Sequence, residues 1–98
     1  MMSIELYGFG SYFNSNREIA NDIDLLILSE DVSTDSINFS IRCKSYLIQM
    51  LQSAHVVMLS KSEEKELDFK NKSKAIFLKR ISPEQMDFQL SDFVRQLD

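Results

Sequence analysis

Two short motifs near the amino terminus carry the residue types best suited to chemistry. Gly10 and Ser11 stand together, ten residues follow, and Asp22-Ile23-Asp24 then opens an apolar run. A glycine lets the backbone approach an anion closely and adopt positive φ where a turn needs it. The serine adds a hydroxyl and an N–H for the same anion, and a helix beginning there would add further donors. Asp22 and Asp24, two apart on a strand, project from one face, and Ile23 points the other way, into the core. Two carboxylates so placed suit a hard divalent cation, with magnesium favoured where phosphates share the site. Taken singly, the glycines read as a turn and the Asp-x-Asp pair as a solvated strand edge. It is their joint occurrence, in this order and at this spacing, that points to a phosphate-and-metal site.

The elements around these motifs must hold them together. Ser3 to Tyr7 alternates and reads as a first strand, broken by Gly8-Phe9-Gly10-Ser11. Tyr12 to Asn21 is polar and reads as a short helix and loop. Asp22 to Leu28, apolar apart from its two acids, reads as a central, largely buried strand. A long helix is expected over Thr34 to Ser53, capped by Ser33 or Thr34, with Ile37, Ile41, Leu47, Ile48 and Leu51 on its buried face. Ala54 to Leu59 reads as a third strand, and Ser62-Glu63-Glu64-Lys65 starts another helix with acids in its first turn. Ala75 to Leu78 fits a short strand or the end of that helix. Pro83 suits a first helical position, and Met86, Leu90, Phe93, Val94 and Leu97 then form one apolar stripe. The fold class is therefore mixed α/β (α+β): a small mixed sheet with helices packed on it, in one domain spanning residues 1–98.

Composition narrows the function classes. The chain has 98 residues, 44% hydrophobic and 27% charged, with net charge −4, two glycines and one proline. That charge gives no footprint for direct nucleic-acid binding. Lys70, Lys72, Lys74, Lys79 and Arg80 form the one basic cluster, which reads as a solvated face. The single cysteine, Cys43, excludes an intrachain disulfide and fits a reducing, cytoplasmic setting. No apolar run is long enough for a membrane span, and none has the form of a signal peptide.

Gly10-Ser11, ten residues, then Asp22-Ile23-Asp24 resembles the signature of the polymerase-β-like nucleotidyltransferases. Within that superfamily the chain looks most like the minimal nucleotidyltransferases, small proteins often paired as antitoxins with HEPN-domain toxins. The signature covers residues 7–28. The resemblance implies a nucleotidyltransferase fold and transfer of a nucleoside monophosphate, commonly AMP from ATP, to a hydroxyl with release of pyrophosphate. The implied acceptor is a tyrosine of a partner HEPN-type toxin, silenced by this AMPylation. Gly10 and Ser11 would then hold the triphosphate of ATP, and Asp22 and Asp24 would bind magnesium.

The chain departs from the family pattern in two ways. Aligning Ala54 to Ser60 with the next central strand puts His55 where active relatives carry a third carboxylate. An imidazole can accept a proton, but it replaces a hard oxygen ligand poorly. Glu63, Glu64 or Asp68 could supply a carboxylate instead, although a solvated first turn explains the glutamates. Arg17 is a further phosphate candidate, with a solvated side chain as the plainer reading. The catalytic candidates are thus Asp22, Asp24 and His55. The alternative to an enzyme is a degenerate family member that neutralises its partner by binding alone. Relatives often begin with an extra helix, so an uncovered apolar face here would favour a homodimer or a bound partner.

Overall fold

The computed structural model of the chain describes residues 2–14 and 22–97. Its elements run β1 (Ile4–Phe9), α1 (Ser11–Asn14), β2 (Ile23–Ser29), α2 (Thr34–Met50), β3 (Ala54–Ser60), α3 (Lys61–Leu67), α4 (Phe69–Ser73), β4 (Ile76–Ile81), a 3₁₀ turn (Pro83–Gln85) and α5 (Met86–Gln96). The strands form one mixed sheet in the order β3-β2-β1-β4. β1 is antiparallel to both β2 and β4, whereas β2 and β3 run parallel. The parallel pair needs a crossover, and α2 supplies it.

Strand periodicity divides the sheet into two faces. Ile4, Leu6, Leu25, Ile27 and Ile81 pack with Phe39, Cys43 and Leu47 of α2 and with Met86, Leu90 and Phe93 of α5. Leu26 and Leu28 point the other way and are also buried. β2 is therefore covered on both sides, which is why it reads as a continuous apolar run. Each fully buried side chain of this kind contributes roughly 1.5–3 kcal/mol. No helix among the described residues is long and apolar enough to cross a membrane.

Local chemistry sets the element ends. Ser33 caps α2 by accepting from Ser36 N, and Asp31 Oδ1 accepts from Ser33 N at 3.0 Å. That backbone bond holds the Asp31 carboxyl below its ordinary value. Ser60 and Glu63 form a reciprocal capping box at the start of α3. Asp68 and Lys74, both at left-handed φ, bound the short α4.

Several expected boundaries and faces differ. β1 runs on through Gly8 to Phe9, because that stretch still pairs with β2 and β4 as far as Gly8 or Phe9. α2 stops at Met50 rather than Ser53, its C-cap being the extended residue Leu51. The buried face of α2 is Ser36, Phe39, Ser40, Cys43 and Leu47. Ile37, Ile41 and Ile48 are 41–45% exposed. The sequence offers two apolar stripes on one helix, and the aromatic and thiol stripe won the sheet. The ambiguous stretch near residue 76 is strand β4, with a bulge opposite Leu6/Tyr7. Pro83 begins a 3₁₀ turn that leads into α5.

Candidate functional site

Sheet register brings the two amino-terminal motifs together. Phe9, the last residue of β1, pairs with Asp24 of β2. Gly10 then turns the chain at φ +78°, and its carbonyl accepts from Phe13 N and Asn14 N at 3.2 and 3.0 Å. The Asp24 carboxylate lies in the space a side chain on Gly10 would fill. Glycine is thus required twice over, for its conformation and for its missing Cβ. Gly8 serves differently: the Phe13 ring packs where its Cβ would be, 2.6 Å away. This folds α1 back over β1. α1 is a single turn, so Ser11 contributes as part of the turn more than through a helix dipole.

Asp22 lies just before β2, whose start is tied to the turn before β3 by Ile23 N donating to Ser53 O at 3.1 Å. Ile23 packs against the core, leaving both aspartates on the opposite face. Asp24 is also the register neighbour of His55 across the parallel pair. His55 Nε2 lies 3.7 Å from Asp22 Oδ1, and its Nδ1 lies 4.0 Å from Asp24 Oδ1. The imidazole therefore spans the two carboxylates at ion-pair range, beyond hydrogen-bond range. Asp24 is the least exposed of the three, at 28% of its side chain against 52% for Asp22 and 66% for His55. Its carboxylate is walled by Gly10, so its position is the best defined.

The donor set fits one cation in a limited way. Magnesium commonly takes one or two carboxylates and completes its octahedron with water and substrate phosphates. Asp22 and Asp24 meet that requirement, while the imidazole adds a nitrogen that magnesium does not favour. Among the described residues, no group of three His, Cys, Asp or Glu side chains is placed to hold a metal ion by itself.

The proposed substitutes for a third carboxylate are engaged elsewhere. Glu63 Oε1 accepts from Ser60 N at 2.9 Å, Glu64 Oε2 from Lys70 N at 3.0 Å, and Asp68 Oδ1 from Asn71 Nδ2 at 2.9 Å. β3 carries Glu63 to the end of the sheet opposite His55. Arg17 lies outside the described residues. The aromatic rings near the turn are used in packing: Phe9 against Phe69, Tyr12 against Phe13 and Tyr7 against Phe77, with centroids 4.9–5.5 Å apart. Burial, then a hydrogen bond to Glu5, raises the Tyr7 hydroxyl above its ordinary value. Sequence reasoning missed the contact between α1 and the α4 turn, where Asn14 Nδ2 donates to Lys74 O at 3.2 Å. No pattern in the chain signals this pairing.

No protein-family model, curated protein or solved structure matches the chain.

Proposed function

We propose that this chain is a nucleotidyltransferase-like protein of the minimal type. It would bind magnesium and a nucleoside triphosphate, ATP foremost, between the Gly10-Ser11 turn and the Asp22/Asp24 pair. The nucleoside monophosphate passes to a hydroxyl of a partner protein, a tyrosine of a HEPN-type toxin in the reading the sequence favours. The observation that supports this most is the packing of the Asp24 carboxylate against Gly10. The Gly10 turn and Asp24, fourteen residues apart in sequence, adjoin in space.

The roles follow from the residue types. Gly10 and Ser11 offer a closely approachable backbone and a hydroxyl to the phosphates. Magnesium, when bound by Asp22 and Asp24, would neutralise phosphate charge. In the transfer, the acceptor oxygen bonds to the α-phosphorus and the α–β bridging P–O bond breaks. Pyrophosphate leaves with that electron pair, and His55, which lies beside both aspartates, would take the hydroxyl proton.

A second reading is a binding-only antitoxin-like module. It is favoured by the His55 imidazole standing where an oxygen ligand would serve the metal better. The experiment that separates the two uses ATP labelled at the α-phosphate, magnesium, the chain and its co-expressed partner. Label moving to the partner with wild type, and not with the Asp22→Ala/Asp24→Ala double variant, supports transfer. A partner that stays bound and unlabelled in both cases leaves the binding-only reading.

A further inference from the structure

Folding divides the basic cluster of the chain. Lys70 Nζ lies 5.1 Å from the centroid of the Tyr7 ring and 3.9 Å from Glu64 Oε1. Lys79 pairs with Asp92 at 3.1 Å, and Arg80 with Glu5 at 2.8 Å. Among the described residues, Lys72 and Lys74 make no ion pair. Of these two, Lys74 is the one tied to the Gly10 turn. Gly10 O accepts from Asn14 N at 3.0 Å, and Asn14 Nδ2 donates to Lys74 O at 3.2 Å. Strand register agrees: Gly8 of β1 pairs with Ile76 of the antiparallel β4. Gly10, two residues on, and Lys74, two residues back, therefore leave the sheet at the same end.

Lys74 also holds a backbone position that favours other residue types. It closes α4 at φ 58° and ψ 44°, its N–H on Asn71 O and the Ala75 N–H on Lys70 O. A left-handed residue at a helix end is most often glycine and sometimes asparagine, because a Cβ is strained there. Nothing in this cap calls for a lysine, and its side chain is exposed. The sheet order β3-β2-β1-β4 then sets out what each strand brings to this end. His55 comes from β3, the two aspartates from the start of β2, the Gly10 turn from β1 and Lys74 from the approach to β4. His55 and Lys74 thus flank the Asp24–Gly10 contact from opposite sides, three strand spacings or about 14 Å apart. Phosphoryl transfer runs roughly in line, with acceptor and leaving oxygens on opposite sides of the phosphorus. With His55 on the acceptor side, the leaving group points towards Lys74.

We propose that Lys74 is a substrate-binding residue of this site, its ammonium holding the β- and γ-phosphates of the nucleoside triphosphate and the pyrophosphate that leaves. The inference rests on the nucleotidyltransferase reading and names a residue of that site which its sequence pattern does not contain. The flexible four-carbon stem of lysine carries a compact, strongly hydrated charge from the α4 turn to the phosphates. When the α–β bridging P–O bond breaks, the electron pair goes to pyrophosphate, and the ammonium offsets that charge without giving up its proton. The need is greater here because Asp22 and Asp24 bring negative charge to a chain whose net charge is already −4.

The test is equilibrium dialysis of labelled ATP and AMP, with magnesium, against the whole chain and three variants. Lys74→Gly removes the ammonium and relieves the left-handed backbone, so its unfolding midpoint should hold or rise. Its ATP affinity should fall about tenfold or more, the size of a hydrogen bond to a charged group. Its AMP affinity should stay near wild type, so the preference for ATP over AMP shrinks. Lys74→Arg should keep most of the ATP affinity, and Lys72→Ala, which removes an equal charge from α4, should leave it close to wild type. Wild-type ATP affinity in Lys74→Gly would overturn the inference and leave the nucleotidyltransferase reading standing. Equal losses for ATP and AMP, or an equal loss in Lys72→Ala, would overturn it too, since Lys74 would then act through the turn or through overall charge. No ATP binding by wild type would sink the reading and the inference together.

Discussion

Gly10 and Asp24 are fitted to one another: the aspartate carboxylate fills the volume a Cβ on Gly10 would take, at a backbone φ of +78°. The contact closes the gap between the end of β1 and the start of β2, and it fixes the inner of the two acids. Replacing Gly10 by alanine therefore adds strain and displaces the carboxylate together. The expected cost is about 1–3 kcal/mol of stability, with loss of magnesium–nucleotide binding. Gly8→Ala collides with the Phe13 ring instead, so it should destabilise while leaving nucleotide binding much closer to wild type. Thermal unfolding alongside nucleotide titration checks both.

His55 spans Asp22 and Asp24, which makes His55→Asp an informative change. Three carboxylates then crowd one strand edge. Without metal the variant should be less stable than wild type, by less than about 1 kcal/mol given the exposure of the group. Magnesium should restore the loss and bind more tightly than to wild type. Thermal unfolding with and without magnesium reads this directly; a variant indifferent to magnesium would count against a metal at the aspartates.

The two stripes of α2 predict opposite mutational outcomes. Phe39 is 2% exposed in the core, so Phe39→Ala should cost about 3–5 kcal/mol. Ile41 is 45% exposed, and Ile41→Ala should stay within about 0.5 kcal/mol. Urea denaturation of the pair checks which face the sheet covers, and the reverse order would mean the helix is rotated.

Burial pushes the Cys43 thiol up to about 12. The folded chain should therefore resist thiol reagents at pH 8, reacting only as fast as it opens. The linkage sign follows. The unfolded thiol ionises at its ordinary value while the folded one stays protonated, so the stability due to the buried thiol is complete below that value. It falls as pH rises from there towards 12. Thiol titration against pH, with and without denaturant, measures it.

Much of this architecture was legible in the residues. DIDLLIL reads as a central, largely buried strand, and Leu25 to Leu28 are buried. The spacing of Gly10-Ser11 and Asp22-Ile23-Asp24 marks a candidate site, but it cannot show that Gly10 and Asp24 touch, because that follows from the antiparallel register of β1 and β2. Of the expected face of α2, Leu47 and Leu51 pack on the core, whereas Ile37, Ile41 and Ile48 do not, although they are as regularly spaced as Phe39, Cys43 and Leu47. Only the shape of the sheet and α5 decides between them. The engagement of Glu63 in a capping box was foreshadowed by Ser60 three residues earlier. The joining of Asn14 to Lys74 is 60 residues long-range and leaves no local trace.

The most direct measurement of the central claim is calorimetric titration of ATP into the chain in magnesium buffer, repeated with chelator and with the Asp22→Ala/Asp24→Ala variant. The account predicts saturable binding to wild type that disappears in both controls. No binding to wild type, or binding indifferent to the two aspartates, would contradict it.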